Sequence, residues 1–502
     1  MLLQHFIHKN QRYQRSIFFT VFIVLTFGSA GFAREAVFAG KFYPAEKGEI
    51  ARFVDSALAK AAIAKLDGKI LAVIAPHAGY VFSGRVAGYA YKTIDDQYDT
   101  VVILGASHTL SVKGAAILKD GFYETPLGKV PVDEKLADEL IKASPLFEDN
   151  PAAHAGEHAV EVQLPFLQRR LKKPFKLLPA VLNTEKIADL VKIGEVLAQK
   201  LKDRKALIVV SADFSHYPRH IDAKQVDETL GLAIKTMNPQ YFWLTNRIML
   251  QKGVPELATC ACGEAAVTAA MAAVNTLGPA QFLELKYADS YDEFPQQASP
   301  DRVVGYMAGV FLKSGKAAAG RFALNDGQKK ELLKEARTEI QNQLLGIKAK
   351  RERLSADYAF NLPSAVFVTL TRNGALRGCV GTTEPKMTLL DAVRYGALSA
   401  AFEDLRFEPV AKGELEKLKI EISILSPLTK ASDAKEIIPH KQGVAIAGNG
   451  RSGLFLPQVW EQIPGKEDFL GELCSQKAGL ERGCWKDKKT DIYVFTVDAF
   501  QE

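Results

Sequence analysis

The chain is 502 residues long, with 47% hydrophobic and 24% charged residues, an ordinary globular composition that calls for two or more domains rather than a single core. The net charge is only +6, and Lys9, Arg12 and Arg15 supply three of those charges within residues 1–33, which hold no acid. That balance, with no basic stacking motif, excludes a reading as a nucleic-acid binder.

Residues 1–33 read as a secretory signal: a basic start, the apolar run Ile17–Leu25, and small residues before Arg34. Cleavage after Ala30 or after Ala33 fits a small-x-small junction. The alternative is an uncleaved membrane anchor, but the run is short for the ~20 residues a span needs. The protein is therefore expected to be exported, periplasmic or secreted, touching a membrane only through an uncleaved signal.

The first domain is expected over 34–313. Lys69-Ile70-Leu71-Ala72-Val73-Ile74 is apolar and rich in β-branched residues, as a buried parallel strand is. Pro76 ends it, Gly79 turns the chain, and His77 stands between them, at the carboxyl end where open α/β sheets bind ligands. A second strand over 100–104 leaves through Gly105-Ala106-Ser107-His108. A third over 206–211 leaves through Ala212-Asp213-Phe214-Ser215-His216. Three exits carrying three histidines predict one shared site. Further strands are predicted over 175–178, 282–287 and 303–311, and helices over 50–64, 133–143, 157–171, 187–201 and 263–277. This alternation predicts an α/β domain, a mostly parallel sheet covered by helices.

Of nine histidines, His77, His108, His154, His158, His216 and His220 lie in this half and only His440 lies beyond it, so metal or acid–base chemistry belongs here. His220 and His440 are read as ordinary structural residues. Cys262, in Thr259-Cys260-Ala261-Cys262-Gly263-Glu264, falls beside the N-terminus of the helix over 263–277, where the dipole favours thiolate. It is a metal ligand or a small buried residue; Cys260 is the weaker choice. One thiolate and two imidazoles hold a transition metal and leave coordination positions open. Asp213 and His216 are an acid–base pair, the carboxylate fixing the imidazole, or else a structural hydrogen-bond network. His154, Glu157, His158 and Glu161 bunch together as pocket lining, helix caps or a second metal site.

The small-residue run 314–320 suggests a linker over 314–321. An α+β domain is expected over 322–502. Asn325 or Asp326 caps a helix running to Leu345, and Asn373-Gly374 and Asn449-Gly450 each mark a β-hairpin. Additional strands are expected over 420–425 and 492–497. Five cysteines cannot all pair within the chain, but Cys474 and Cys484 could form a local disulfide. There is no internal repeat and no CxxxCxxC iron–sulfur motif.

Ala75-Pro76-His77-Ala78-Gly79-Tyr80, Gly105-Ala106-Ser107-His108, the run Glu157-His158-Ala159-Val160-Glu161-Val162-Gln163-Leu164-Pro165-Phe166, Ser211-Ala212-Asp213-Phe214-Ser215-His216 and Cys262-Gly263 resemble the Memo family, AmmeMemoRadiSam system protein B in bacteria. The resemblance implies a fold like that of the class III extradiol dioxygenases. It implies an iron or copper ion held by His77, His108 and Cys262, with His216 near the position of the base. A cysteine replaces the third, carboxylate ligand of the dioxygenases, which favours softer or more oxidised metals. Leu376-Arg377-Gly378-Cys379-Val380-Gly381, Asp404-Leu405-Arg406-Phe407-Glu408-Pro409-Val410, Gly453-Leu454-Phe455-Leu456-Pro457-Gln458-Val459-Trp460 and Cys474-Ser475-Gln476-Lys477-Ala478-Gly479-Leu480 resemble the AMMECR domain, AmmeMemoRadiSam system protein A. Arg377, Cys379, Asp404 and Arg406 are its candidate functional residues. Alternatively Cys379 is a buried strand thiol and Arg377 is salt-bridged to Asp404. The system name implies a radical-SAM partner. Two functions are expected to compete: redox or dioxygenase-like chemistry on a small-molecule substrate, or non-catalytic iron or copper binding and delivery with the AMMECR domain as interaction module.

Overall fold

The computed structural model describes residues 32–315, 323–431 and 433–502. The expected signal lies outside the described residues except for Phe32 and Ala33, and the expected linker except for Ser314 and Gly315. The first half contributes strands β1 (Ala33–Arg34), β2 (Ile70–Ala75), β3 (Thr100–Ala106), β4 (Ala115–Ile117), β5 (Phe122–Thr125), β6 (Gly128–Pro131), β7 (Phe147–Asp149), β8 (Lys176–Leu182), β9 (Ala206–Ser211), β10 (Ala280–Asp289) and β11 (Gly305–Lys313). Eight of them form one sheet in the order β10-β11-β2-β9-β3-β8-β4-β7, and β1, β5 and β6 form a small second one. The centre, β2-β9-β3-β8, is parallel. Strands β10 and β11 are antiparallel to each other, β11 is antiparallel to β2, and β4 is antiparallel to β8.

Both faces of the centre are buried, which is why its strands are apolar without alternation. Val102 and Leu104 of β3 enter one core and Val101 and Ile103 the other. The first core is closed by the helices Glu134–Ala143, Ile187–Leu201, His220–Lys235 and Glu264–Leu277, the second by Lys47–Lys60, Tyr80–Thr93 and Leu164–Arg170. Alanines in Glu264–Leu277 let a neighbour approach closely: a Cβ on Gly194 would sit 2.3 Å from the Ala269 carbonyl oxygen. The α/β expectation therefore stands, and the strand at 206–211 and the helix at 187–201 have the predicted bounds.

The helix expected over 157–171 is not continuous. A single 3₁₀ turn, Glu161–Gln163, precedes the helix Leu164–Arg170, and residues 157–160 are irregular. The Glu157 carboxylate accepts the N–H groups of His158 and Ala159, drawing that backbone out of the helical pattern. The helix Tyr80–Thr93, continuous through Gly84 and Gly88, is absent from the sequence expectations, as are His220–Lys235 and Pro239–Gln251.

The second half forms β12 (Ala365–Arg372), β13 (Ala375–Gly381), β14 (Leu418–Leu425), β15 (Thr429–Lys430), β16 (Gly443–Gly448), β17 (Arg451–Phe455), β18 (Asp491–Phe495) and β19 (Val497–Gln501). They make two antiparallel sheets, β13-β12-β14-β19 and β15-β18-β16-β17. Both Asn-Gly pairs take the left-handed conformation that a two-residue hairpin turn demands: φ is 53° and 82° at Asn373 and Gly374, and 50° and 72° at Asn449 and Gly450. Asn325 caps the helix Asp326–Leu345, and Cys474 and Cys484 are joined as a disulfide. This half is α+β. It meets the first through the helix Pro239–Gln251: Tyr241 Oη donates to the Pro363 carbonyl at 2.7 Å, and Lys252, just past the helix, pairs with Asp391 at 2.6 Å. Among the described residues no helix is long and apolar enough to cross a membrane.

Candidate metal centre

Strands β2 and β9 are neighbours, with Ala75 opposite Ser211, so their exits lie side by side. Asp213, two residues past β9, accepts the backbone N–H of His77 at 2.7 Å and of Ala78 at 3.3 Å, which fixes the His77 loop. Its carbonyl oxygen accepts the Cys262 N–H at 3.1 Å. Gly263 allows this docking, since a Cβ there would lie 2.4 Å from that of Ala212. At the β3 exit His108 is tied to Glu157 twice, N–H to Oε2 at 2.6 Å and Nδ1–H to Oε1 at 2.9 Å. The result is convergence: a ring nitrogen each of His77 and His108 and the sulfur of Cys262 lie within 4.8 Å of one another, and Cys262 Sγ is 3.0 Å from His77 Nε2.

Hydrogen bonds settle which nitrogens carry protons. Ser211 Oγ donates its one proton to the Ala159 carbonyl and accepts from Gln163 Nε2, so at 3.0 Å from His77 Nδ1 it can only accept. Gln163 is itself oriented, donating to the Pro76 carbonyl and accepting from Tyr91 Oη. His77 therefore carries its proton on Nδ1 and leaves Nε2 bare. The Glu157 carboxylate imposes the same tautomer on His108, and the Phe214 carbonyl, 2.7 Å from His216 Nδ1, imposes it on His216.

Burial, followed by the neighbouring His108, pushes the His77 imidazole down to about 3, so its Nε2 lone pair stays available. Burial alone would raise the Glu157 carboxyl, but the His108 hydrogen bond and charge with two backbone N–H groups bring it down to about 2. The thiolate expectation at Cys262 is corrected. Burial and the Asp213 charge hold the thiol well above its ordinary range, outweighing the helix N-terminus. Only a cation bound by the sulfur would reverse that. Two bare imidazole nitrogens and one sulfur with no carboxylate among them fit a borderline or soft transition metal.

The other predicted residues divide. His158 belongs to the site, its ring stacked on His108 at 4.5 Å and edge-on to His77 at 5.1 Å, with Phe42 behind it at 4.7 Å. His154 and Glu161 do not line a pocket. His154 is wholly buried between Tyr123 Oη and the Ala116 carbonyl, and Glu161 accepts from Tyr43 Oη and the Phe38 N–H. Asp213 spends one oxygen on backbone N–H groups and is not the group that orients His216; Phe214 is. Cys260 is buried away from the cluster, and His220 bonds Asp289 at 2.6 Å. In the second half Arg377 pairs with Glu414 and not with Asp404, which pairs with Arg406 two residues on. Asp404 also accepts the Cys379 N–H, and Cys379 is half-buried. Glu157, Ser211 and Gln163 were missed as orienting groups, although Glu157 and Gln163 lie inside one motif run with His158.

Next to His216, the N–H and Oγ of Ser215 both donate to Asp227, and Tyr287 Oη adds a third bond at 2.9 Å. Burial outweighs these donors and pushes the Asp227 carboxyl up to about 8. A native carboxyl raised above its unfolded value contributes stability below the unfolded pKa and loses it as pH climbs through the native one. Stability is thus expected to fall by on the order of 1 kcal/mol per pH unit between about pH 4 and 8, a slope that Asp227→Asn removes. Urea midpoints measured at pH 5 and pH 8 for both proteins check this.

The geometry defines an α/β protein with a His₂Cys candidate metal centre at its strand exits, continued by an α+β domain. The chain belongs to the Memo-like protein family, whose model matches residues 34–310, and the AMMECR1 model matches residues 333–500. A MEMO1 family protein of Nitrosopumilus maritimus is 35% identical over 285 residues, covering 56% of this chain and 99% of that one. A MEMO1 family protein of Aquifex aeolicus is 33% identical over 279 residues with the same coverage. The solved structure of the uncharacterized protein PH0010 from Pyrococcus horikoshii is 33% identical, covering 36% of this chain and 94% of that one, at a TM-score of 0.33.

Proposed function

We propose that this is an exported protein whose first half holds one non-haem iron or copper ion between His77, His108 and Cys262 for redox or dioxygenase-like chemistry on a small substrate. The observation that carries it is the meeting of one ring nitrogen each from His77 and His108 with the Cys262 sulfur, all within 4.8 Å of one another, the His77 Nε2 being 3.0 Å from the sulfur. When bound, such an ion acts as a Lewis acid and template, with positions left for substrate. His216 presents a bare Nε2 and accepts a proton from substrate; Phe214 keeps the imidazole in that tautomer. His158, with Phe38 and Phe42 against it, supplies an aromatic wall. The disulfide and the leader-like first 33 residues support export.

His216→Ala is expected to lower turnover of catechol or a small phenol by roughly 10²–10⁴-fold while the metal content stays unchanged. Aerobic assays of the Fe(II)-loaded protein measure it, and equal rates in the two proteins would remove His216 from the chemistry. The second reading, metal binding and delivery with the AMMECR domain as docking module, is favoured by the sulfur in the ligand set. Tight Cu(I) binding without any turnover would select it. A radical-SAM partner belongs with either reading, and co-purification from the native source tests it.

A further inference from the structure

Arg34 stands in the two-residue strand β1, well before the first metal-ligand candidate in the chain, and is only 2% exposed. Its guanidinium does not serve its own strand. Nε donates to the His154 carbonyl at 2.6 Å and Nη2 to the Glu157 carbonyl at 2.9 Å. Nη1 donates to the Glu35 carbonyl and lies 3.0 Å from Glu161 Oε2, a charge contact in which that oxygen receives no aligned N–H. Phe38 and Tyr123 lie against the group, their ring centres 5.9 Å and 5.7 Å away.

These contacts grip one segment, 154–161. Part of it, 157–160, has no regular backbone pattern, so its carbonyls need partners from elsewhere. The same segment carries Glu157, whose carboxylate takes both the N–H and the Nδ1–H of His108, and it carries His158, stacked on His108. We propose that Arg34 is a positioning residue for His108, acting through Glu157, so that docking of β1 on β5 completes the metal centre. The proposal rests on the metal reading above. A planar guanidinium reaches three carbonyls and a carboxylate together; a lysine ammonium keeps the charge but cannot span them.

The test uses the full chain with Arg34→Lys, and Arg34→Gln as the second variant should the first not fold by circular dichroism. In metal-free protein labelled with ¹⁵N-histidine, the His108 Nδ1–H resonance is assigned by its loss in His108→Gln. It is expected to be sharp in the parent chain and lost or exchange-broadened in Arg34→Lys. Co(II) affinity, measured by competition, is expected to fall about 10–100-fold in Arg34→Lys, and combining it with Glu157→Gln is expected to add little more. Tyr98→Phe is the stability control. It removes a buried hydrogen bond to the Ile70 carbonyl at the opposite end of β2 and is expected to lower the melting temperature without moving either readout. An intact resonance with parental Co(II) affinity in Arg34→Lys overturns the proposal and leaves the metal reading standing. Additive losses with Glu157→Gln also overturn it. Should the parent chain bind Co(II) no better than Cys262→Ser, the metal reading falls, and the resonance alone decides for or against Arg34.

Discussion

Exchanging Cys262 for serine is expected to cut Cu(I) affinity by on the order of 100-fold or more, with little change in fold stability. Even groups that only orient a ligand are worth about 10–100-fold in metal affinity, and Cys262 would be a ligand itself. It is also the one soft donor in the cluster, so serine leaves two imidazoles and a hydroxyl that stays protonated. The fold has little reason to respond. Serine is nearly isosteric, and the two hydrogen-bond partners of the sulfur, His77 Nε2 at 3.0 Å and the Asp213 carbonyl at 3.4 Å, can be met by a hydroxyl. Titration against a chromophoric Cu(I) chelator reads the affinity, and urea unfolding reads the stability. Unchanged Cu(I) binding in Cys262→Ser would remove both the oxidoreductase and the carrier readings, because each needs the sulfur.

A single methyl group at residue 305 is expected to do the reverse, damaging stability and the setting of His216 together. The Cβ of an alanine there would lie 1.7 Å from Asp227 Oδ2 and 3.1 Å from Ser215 Oγ. Neither neighbour can give way cheaply. Asp227 is wholly buried and held by Ser215 and Tyr287, and Gly305 itself bonds Phe214 and Ser215 through its carbonyl and N–H. Overpacking a built network of this kind costs about 3 kcal/mol. For a half of this size that corresponds to a fall of roughly 6–12 °C in melting temperature. Because Phe214 fixes the His216 ring, Gly305→Ala is also expected to lose whatever activity depends on His216. A melting temperature within a degree or two of the parent chain would show that the 213–216 segment is looser than its hydrogen bonds imply. Asp227→Gly in the same chain clears the space and is expected to restore part of the lost stability.

The strand exits were legible because physics marks them twice: apolar β-branched runs make the strands, and Pro76, Gly79 and Gly105 punctuate their ends. The two hairpin turns were legible for a similar reason, since Asn-Gly accepts a positive φ at both positions. Glu157 was visible as a residue but not as the partner of His108, because that bond joins positions 49 apart and nothing local announces it. The same carboxylate left residues 157–160, the start of a plausible helix over 157–171, without a regular pattern. Arg377 and Asp404 were paired on charge alone. The structure prefers partners already held nearby: Arg406 two residues from Asp404, and Glu414 within reach of Arg377. Whether Cys262 would be thiolate was misjudged because a helix terminus is readable in a sequence, while the depth of burial opposing it is not.

Strand β1 bears on how an upstream leader could be trimmed. Phe32 donates its N–H to Asp120 and offers its carbonyl to the Phe122 N–H, and Ala33 stands opposite Phe122 in the ladder. A peptidase cutting after Ala33 would discard both residues and leave a cationic amino terminus on Arg34, whose side chain is sealed inside the protein. Removal after Ala30 would spare the whole strand, so if a leader is cut, the earlier junction is the one expected to keep this edge, and N-terminal sequencing of the mature protein checks it.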